Sequence, residues 1–331
     1  MPEVSVVLPV FNADETIERA VRSILDQTFS EFELIVVDDG STDDTVRVVS
    51  RINDSRLQLV QCPHRGVVTA ANTATEVARG PLIARMDSDD VSHPQRLEKQ
   101  HRLLREQNLD VVGCQVHIRD PSGQESETMR RYASWINEET IDPDQITGLR
   151  FVELPLVNPT ILARRSYFEL GFCDDAFPED YDLMLRAAAN GMGFGKVKQV
   201  LFDWIDRPDR LTRIDSRYSV EAFARCRQTH LAIGPLRGID QVDLWGVGQA
   251  GKPWLRWLQS RGIKVRQSYD VSQRKLGAQI HGVHVSHPNA LSDADGTPLI
   301  IAVGAIGARE VILPQIRSRG YVPGRDAWFV A

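Results

Sequence analysis

Three acidic side chains stand directly behind a short apolar run. Asp87, Asp89 and Asp90 follow the stretch "PLIARM", which is typical of a buried strand. Carboxylates this close repel one another, so each needs water or a positive partner. Carboxylate oxygens suit hard divalent cations, and Mg²⁺ is usually held by one or two carboxylates while phosphate groups complete its shell. The three acids therefore predict a site for Mg²⁺ or Mn²⁺.

The first ninety residues alternate between strand and helix patterns. "VSVVLPV" and "FELIVV" are apolar, β-branched runs that favour strands covered on both faces. Between them, Ile17, Ala20, Val21 and Ile24 recur at helical spacing. This alternation predicts βαβ crossovers and an α/β fold with a mostly parallel, twisted sheet.

Such a sheet binds ligands beyond the carboxyl ends of its strands. Asp38 and Asp39 follow the second strand, residues 87–90 follow the fourth, and the turn Pro9–Asn12 ends the first. We therefore expect these residues to line one cleft at the same edge of the sheet.

The pattern restarts near residue 235, after a linker that contains glycine and proline. We expect two domains, residues 1–235 and a small Rossmann-like α/β domain at residues 236–331. In the second, Gly246, Gly248 and Gly251 form a GxGxxG motif between a strand and a helix, and Asp270 ends the next strand, as in a dinucleotide fingerprint. NAD is thus one candidate ligand, but the domain is too short for the usual pair of mononucleotide-binding halves. That shortness favours a structural or partner-docking role.

Composition and net charge argue against several other classes of protein. The formal net charge of −6 argues against a nucleic-acid partner, because phosphate-backbone binding needs a basic face. Four cysteines without a CxxC pair favour a reduced, cytoplasmic protein. The longest apolar run, "PLIIAVGAIGA", falls short of the ~20 residues that cross a bilayer, so a membrane-embedded enzyme is not expected. Peripheral association with the inner membrane face and the oligomeric state stay open.

The N-terminal two-thirds resembles glycosyltransferase family 2, whose members are inverting enzymes with a GT-A-type nucleotide-diphospho-sugar transferase fold. The resemblance covers about residues 3 to 215. It rests on the opening "VSVVLPVFNADE" to "VVDDGSTDDT", on "HRGVVTAANTA", on "ARMDSDDVSHPQRLEKQ" and on "FPEDYDLMLR". Asp87, Ser88 and Asp89 stand at the position of the family's DxD motif.

The resemblance implies the transfer of a sugar from a nucleotide-diphosphate donor, with Mn²⁺ or Mg²⁺ as cofactor. Asp89 is the first choice as metal ligand, and Asp87 reaches the metal or the ribose. Asp180 is implied to be the general base, aided by Glu179. From spacing alone, acids in a first helical turn can equally complement the helix dipole, which is also our interpretation of Asp182.

Other residues are expected to contact the donor. Asp39, with Asp38 beside it, should accept a hydrogen bond from the base, which favours uracil or thymine and hence a UDP- or dTDP-sugar. Which of the two aspartates reaches the base is left open. The floor beneath the base is assigned to Pro9, Phe11 and Asn12. Arg65, in the loop before the third helix, is a further candidate for contact with the donor. The candidates for contact with phosphate or acceptor are His93, Arg207, Arg210 and Arg213.

Two departures from the family pattern narrow the activity. Ala71 stands where many relatives carry arginine, which implies that a side chain near the donor phosphates is missing. The QxxRW motif of processive members is also missing, which favours transfer of one sugar over polymerisation. The acceptor stays open between a lipid-linked oligosaccharide, a surface polysaccharide and a small metabolite.

Two other functions are consistent with part of the sequence pattern. One is a non-catalytic nucleotide-binding sensor or assembly module, which the intact Asp89 and Asp180 argue against. The other is a nucleotidyltransferase, for which the turn "PVFNADE" lacks the expected glycines.

Overall fold

The chain forms two compact units in the computed structural model, which describes residues 1–173 and 177–331. The first unit comprises Met1–Ile146 and Pro155–Cys226, and the second comprises Thr147–Leu154 and Arg227–Ala331. These two units differ from the domains expected from the sequence, which divide at residue 235. The second unit begins earlier and also takes in a segment from within the preceding part of the chain.

The strands of the first unit are β1 (Val4–Val10), β2 (Phe32–Asp38), β3 (Leu57–Gln61), β4 (Leu82–Arg85), β5 (Val91–Ser92), β6 (Val111–Arg119), β7 (Leu162–Arg164) and β8 (Phe194–Ile205). Those of the second are β9 (Gln241–Trp245), β10 (Lys264–Tyr269), β11 (Gln279–Ile280), β12 (Val283–Ser286), β13 (Leu299–Ile301) and β14 (Ala327–Phe329).

The α-helices along the chain are α1 (Ile17–Leu25), α2 (Thr45–Ser50), α3 (Val67–Val77), α4 (Arg96–Glu106), α5 (Glu127–Ser134), α6 (Pro143–Gly148), α7 (Arg165–Phe168), α8 (Glu179–Ala189), α9 (Leu211–Ile214), α10 (Val220–Ile233), α11 (Gly251–Ser260) and α12 (Ala308–Arg317). In the described residues, none of these helices is long and apolar enough to cross a membrane.

The sheet of the first unit has the strand order β3-β2-β1-β4-β7-β6-β8-β5. Strands β3, β2, β1 and β4 are mutually parallel, and so are β6 and β8. Strand β7 runs antiparallel to both of its neighbours, and β5 runs antiparallel to β8. The predicted α/β fold with a mostly parallel sheet is confirmed.

Burial in the first unit follows the sequence pattern. Every residue of β1 and of β2 is buried, as expected for strands covered on both faces. Helix α1 buries Ile17, Ala20, Val21 and Ile24, the residues that recur at helical spacing. The core therefore fixes the strands whose ends carry the predicted cleft residues.

The sheet of the second unit has the order β11-β12-β10-β9-β13-β14. All neighbours are parallel except β11 and β12. When its parallel strands are numbered along the chain, their order is 3-2-1-4-5, as in a doubly wound sheet. The turn after β9 requires glycine, because a Cβ on Gly251 would lie 1.8 Å from the carbonyl oxygen of Gly246.

Candidate active site

The ends of three adjacent strands form the edge that carries the predicted cleft. In the parallel register, Val10 of β1 lies opposite Asp38 of β2, and Val7 lies opposite Arg85 of β4. The amide of Asp39 donates to the carbonyl of Val10 at 2.8 Å, so the turn after β2 stays against β1. The acids after β2 and β4 therefore emerge at the same edge of the sheet, with β1 between them.

Asp39 holds the loop in front of α3. Its buried carboxylate accepts hydrogen bonds from the amides of Arg65 and Gly66, both at 2.8 Å, and lies 2.8 Å from Nδ1 of His64. Asp38 is buried as well, and its carboxylate accepts from the amide of Ser41 at 3.2 Å. Both aspartates thus shape turns, and Oδ1 of Asp39, which accepts from the Arg65 amide alone among the described contacts, keeps one lone pair for a further donor.

Aromatic rings lie beside this loop. Phe11 stacks on His64 with ring centroids 4.1 Å apart, and 43% of Phe11 is exposed. Pro9 is buried within β1 and pairs with Val37. Asn12 adopts a φ of 46°, and its side-chain oxygen accepts from the amide of Thr42 at 2.8 Å. These residues build the turns around an exposed aromatic face.

The Arg65 side chain is exposed, while its amide is bound to Asp39. Gly40 completes this packing, because a Cβ there would lie 2.7 Å from the amide nitrogen of His64. Its φ of +74° also favours glycine.

The acids after β4 differ in their surroundings. Asp87 forms an ion pair with Arg85 at 2.9 Å, and Arg85 is itself buried. Asp89 has no basic nitrogen within ion-pair distance in the described residues, and burial raises its pKa while the charge of Arg210 opposes the rise. Asp90 is fully buried and accepts from the amide of Ile205 at 2.8 Å. It thus fastens this turn to β8 and does not cap α4, whose preceding residue is Gln95.

A second pair of acids begins α8. Glu179 is 6% exposed, and the hydroxyl of Tyr218 lies 2.8 and 2.6 Å from its two carboxylate oxygens. Asp180 accepts from the amide of Tyr181 at 2.7 Å. Burial raises the pKa of both acids, and the neighbouring Glu179 adds to the rise that takes the pKa of Asp180 to about 8. Such a carboxyl is a stronger base than a solvated aspartate.

The acids after β4 and the acids at the start of α8 interact through their charges. The charge of Asp87 contributes to the raised pKa of Asp180, and that of Arg85 opposes the rise in the pKa of Glu179. The acids after β4 and those at the start of α8 are therefore near enough for their charges to interact, a proximity that neither spacing nor periodicity determined. Asp182, in contrast, forms an ion pair with Arg186 at 2.7 Å, so it does more than complement the helix dipole.

The three candidate arginines have separate surroundings. Arg207 pairs with Asp209 at 3.1 Å, and Arg213 pairs with Asp206. Arg210 stacks over the ring of Trp204 at 4.5 Å, and its Nη1 is buried without a hydrogen-bond partner in the described residues. Its charge lowers the cost of ionising Asp89 and Asp90. Among the three, Arg207 and Arg210 carry charges that act on Asp89, and Arg210 also acts on Asp90.

His93 lies in a different pocket. Its Nε2 is 2.9 Å from Oδ1 of Asp203, and the same carboxylate lies 3.5 Å from Nδ1 of His117. These side chains line a cavity of about 490 Å³ together with residues of α5. The structure therefore gives His93 a carboxylate partner, and no described contact joins it to the acids of the site.

Sequence reasoning missed three residues of the site: Arg85, His64 and Tyr218. Arg85 had a signal, since a charged residue inside a buried strand needs a partner and Asp87 stands two positions on. The sequence carries no such signal for Tyr218, because Glu179, which it contacts, lies 39 positions away.

The donor set fits a hard divalent cation. Asp87 and Asp89 offer the oxygen ligands that Mg²⁺ and Mn²⁺ prefer, and one oxygen of Asp87 is already bound to Arg85. Burial raises the pKa of Asp89, which means that the nearby arginines do not fully compensate its charge. A cation at this position would supply the missing positive charge.

The glycine turn of the second unit is closed by an ion pair. Asp270 accepts from the amides of Val247 at 3.2 Å and Ser272 at 2.9 Å, and it pairs with Lys275 at 2.7 Å. The Lys275 amine lies 3.5 Å from the position that a Cβ on Gly248 would take. The carboxylate that would contact a ribose is therefore already bound within the chain.

Comparison with known proteins relates the chain to enzymes that transfer sugars. The family model "Glycosyl transferase family 2" matches residues 5–172. "Putative glycosyltransferase EpsE" of Bacillus subtilis (strain 168) is 28% identical over 246 residues, which are 70% of this chain and 84% of the relative. "O-antigen biosynthesis glycosyltransferase WbnJ" of Escherichia coli is 29% identical over 191 residues, or 55% of this chain and 70% of the relative.

Solved structures share the fold. S. aureus TarS 1-349 in complex with UDP-GlcNAc aligns with a TM-score of 0.56 at 20% identity, over 72% of this chain and 68% of that chain. The same fragment in complex with UDP aligns with a TM-score of 0.54 at 21% identity, over 72% and 67% of the two chains. At these identities the likeness concerns the fold alone.

Proposed function

Because this chain belongs to glycosyl transferase family 2, we propose that it transfers one sugar, with inversion, from a nucleotide-diphosphate donor to an acceptor hydroxyl. The observation that carries the proposal is the meeting of two acidic groups, Asp87 and Asp89 after β4 with Glu179 and Asp180 at the start of α8. The relatives named above support a role in the synthesis of a surface polysaccharide or another glycoconjugate.

The base of the donor is assigned to the Asp39 loop. Each oxygen of the Asp39 carboxylate accepts one backbone N–H, and a remaining lone pair can accept the imide N–H of uracil or thymine. The exposed face of Phe11 offers a stacking surface, held in place by His64. Uracil and thymine each present such an imide N–H, so we favour a UDP- or dTDP-sugar as donor.

The leaving diphosphate is assigned to the acids after β4 and to Arg210. A Mn²⁺ or Mg²⁺ ion bound by Asp89 and Asp87 would stabilise the negative charge of the leaving group as a Lewis acid. The buried, unpartnered Nη1 of Arg210 can donate to a phosphate oxygen, and the stack on Trp204 keeps the guanidinium beside the acids.

Asp180 is assigned as general base. The acceptor oxygen attacks the anomeric carbon while the bond from that carbon to the diphosphate breaks, and the hydroxyl proton passes to the Asp180 carboxylate. Asp180 acts as base in its ionised form, whose fraction grows as the pH rises toward its pKa of about 8, and the raised pKa makes that carboxylate a stronger base than a solvated aspartate. Glu179 holds the start of the helix through Tyr218.

A donor panel tests this proposal. The protein is incubated with UDP-, dTDP- and GDP-sugars and with Mn²⁺ or Mg²⁺, and release of the nucleoside diphosphate is measured with and without saccharide acceptors. We expect turnover of a UDP- or dTDP-sugar that requires the divalent ion and disappears in Asp180→Asn. Binding of UDP without turnover of any donor would instead support a non-catalytic nucleotide-binding module.

A further inference from the structure

A tyrosine connects the base helix to a distant segment of the first unit. Tyr218 lies in the short 3₁₀ turn Ser216–Tyr218, and its hydroxyl reaches both carboxylate oxygens of Glu179, at 2.8 and 2.6 Å. Glu179 is 6% exposed, so little water can replace this donor. The contact joins the first residue of α8 to a part of the chain 39 positions away.

The segment that ends at Tyr218 carries the cation assigned to the diphosphate. We name residues 206–218 the arginine segment. At its start, the amide of Asp206 donates to the carbonyl of Arg119 at 2.8 Å, which fixes it to the end of β6. Within it, Arg213 pairs with Asp206 and Arg217 pairs with Asp215. Arg207 and Arg210 both act on the charge of Asp89, and Arg210, whose Nη1 is buried without a hydrogen-bond partner in the described residues, also acts on Asp90.

We propose that Tyr218 is a positioning residue that couples Arg210 to the base helix, so that the diphosphate-binding cation and the general base take their places together. The inference rests on the proposed function of the site. Tyr218 is assigned a positioning role and not a catalytic one, because its hydroxyl donates to the Glu179 carboxylate.

The charges around Glu179 explain why the hydroxyl matters. The carboxylate is buried beside the acid Asp180, while Arg217 and Arg85 act on it from the arginine segment and from β4. A buried carboxylate that loses a hydrogen-bond donor takes up a proton or turns away from its position. Either change releases the end of the arginine segment from α8.

The test uses Tyr218→Phe, which removes the hydroxyl and keeps the ring. Tyr167→Phe is the matched control: Tyr167 is fully buried, its pKa is raised by burial and by Asp180, and its hydroxyl has no hydrogen-bond partner in the described residues. A hydrogen bond to a charged group corresponds to a factor of roughly ten to a hundred in an equilibrium or rate constant. For Tyr218→Phe we expect a loss of that size in kcat and weaker binding of UDP with Mn²⁺, and for Tyr167→Phe neither.

Two double-mutant cycles separate coupling from a structural role. In the Arg210→Ala background, Tyr218→Phe should weaken UDP binding no further, although the two side chains have no described contact. In the Glu179→Gln background, Tyr218→Phe should lower kcat no further. Additive losses in both cycles, or wild-type values for Tyr218→Phe, would overturn the coupling. If Tyr218→Phe does not fold, the cycle between Glu179→Gln and Arg210→Ala tests the same connection, and additivity there would overturn it equally.

The outcomes also distinguish the coupling from the proposed function. A wild-type protein that turns over a sugar donor while Tyr218→Phe acts additively refutes the coupling alone. A wild-type protein that neither binds UDP with Mn²⁺ nor transfers any sugar refutes both.

Discussion

Asp180→Asn should abolish transfer and also change how the stability of the first unit depends on pH. Asparagine keeps the shape of the side chain but accepts no proton at neutral pH. General-base catalysis contributes typically ~10²- to 10⁴-fold, so kcat should fall by about that factor. The affinity for UDP with Mn²⁺ should stay close to wild type, because Asp180 is assigned to the acceptor hydroxyl.

The stability effect follows from the raised pKa. Burial, the adjacent Glu179 and the charge of Asp87 raise the pKa of Asp180 from 3.8 to about 8 in the folded protein. Between these pH values the folded state keeps a proton that the unfolded state has released. The contribution of this group to stability is therefore complete below pH 3.8 and is lost as the pH rises toward 8.

The change in the free energy of unfolding has an upper limit, because Asp180 binds at most one proton. Linkage gives at most about 1.4 kcal/mol per pH unit, so the wild-type free energy of unfolding should fall relative to Asp180→Asn by at most about 3 kcal/mol from pH 5 to 7. Because Glu179 can take part of the proton, we expect roughly 1–3 kcal/mol. Urea unfolding at several pH values, followed by intrinsic fluorescence, measures this difference.

Asp54→Asn provides the control in the same unit. Asp54 pairs with Arg56 at 2.8 Å, and hydrogen bonding to Arg56 lowers its pKa, so it titrates below this pH window in both states. This variant should leave the pH slope between 5 and 7 unchanged. Equal slopes for wild type and Asp180→Asn would refute the raised pKa of Asp180 at the start of α8.

Three further predictions concern other groups. Asp89→Ala should remove the Mn²⁺-dependent part of the affinity for UDP, measured by calorimetry with and without the ion, and unchanged affinity would contradict its role as ligand. Lys196→Met should lower the free energy of unfolding by about 1–3 kcal/mol at pH 9, because the buried amine donates to Thr140 at 2.7 Å and to the carbonyl of Pro155 at 2.9 Å. Burial lowers the pKa of Lys196 to about 7, so the wild type itself loses stability as the pH falls toward 7. The loss caused by Lys196→Met should therefore be smaller at pH 7 than at pH 9. An equal loss at both pH values would contradict the lowered pKa of Lys196. A thermal-shift screen should show no stabilisation by NAD or NADP, because Asp270 is bound by Lys275, and a clear shift would restore the dinucleotide interpretation.

Local pattern predicted much of the first unit. The apolar runs of β1 and β2 and the helical spacing in α1 mark residues that are buried in the structure. Parallel strands bring their carboxyl ends to one edge, so the positions of Asp39 and Asp89 at that edge followed from the order of strands and helices. The antiparallel strands β5 and β7 did not follow, because these short strands pair with partners distant in the chain.

The roles within the site depended on contacts that no spacing encodes. The pairing of Arg85 with Asp87, the stack of Phe11 on His64 and the hydrogen bond from Tyr218 to Glu179 each arise from how separate elements pack. The same is true of the segment Thr147–Leu154, which joins the second unit. The sequence by itself thus determined the family, the sheet and the edge at which the acids emerge, because these follow from the periodicity and order of elements. Only the tertiary structure decided which acid is paired, buried or protonated, because burial and charge depend on neighbours that the folded chain brings together from far apart.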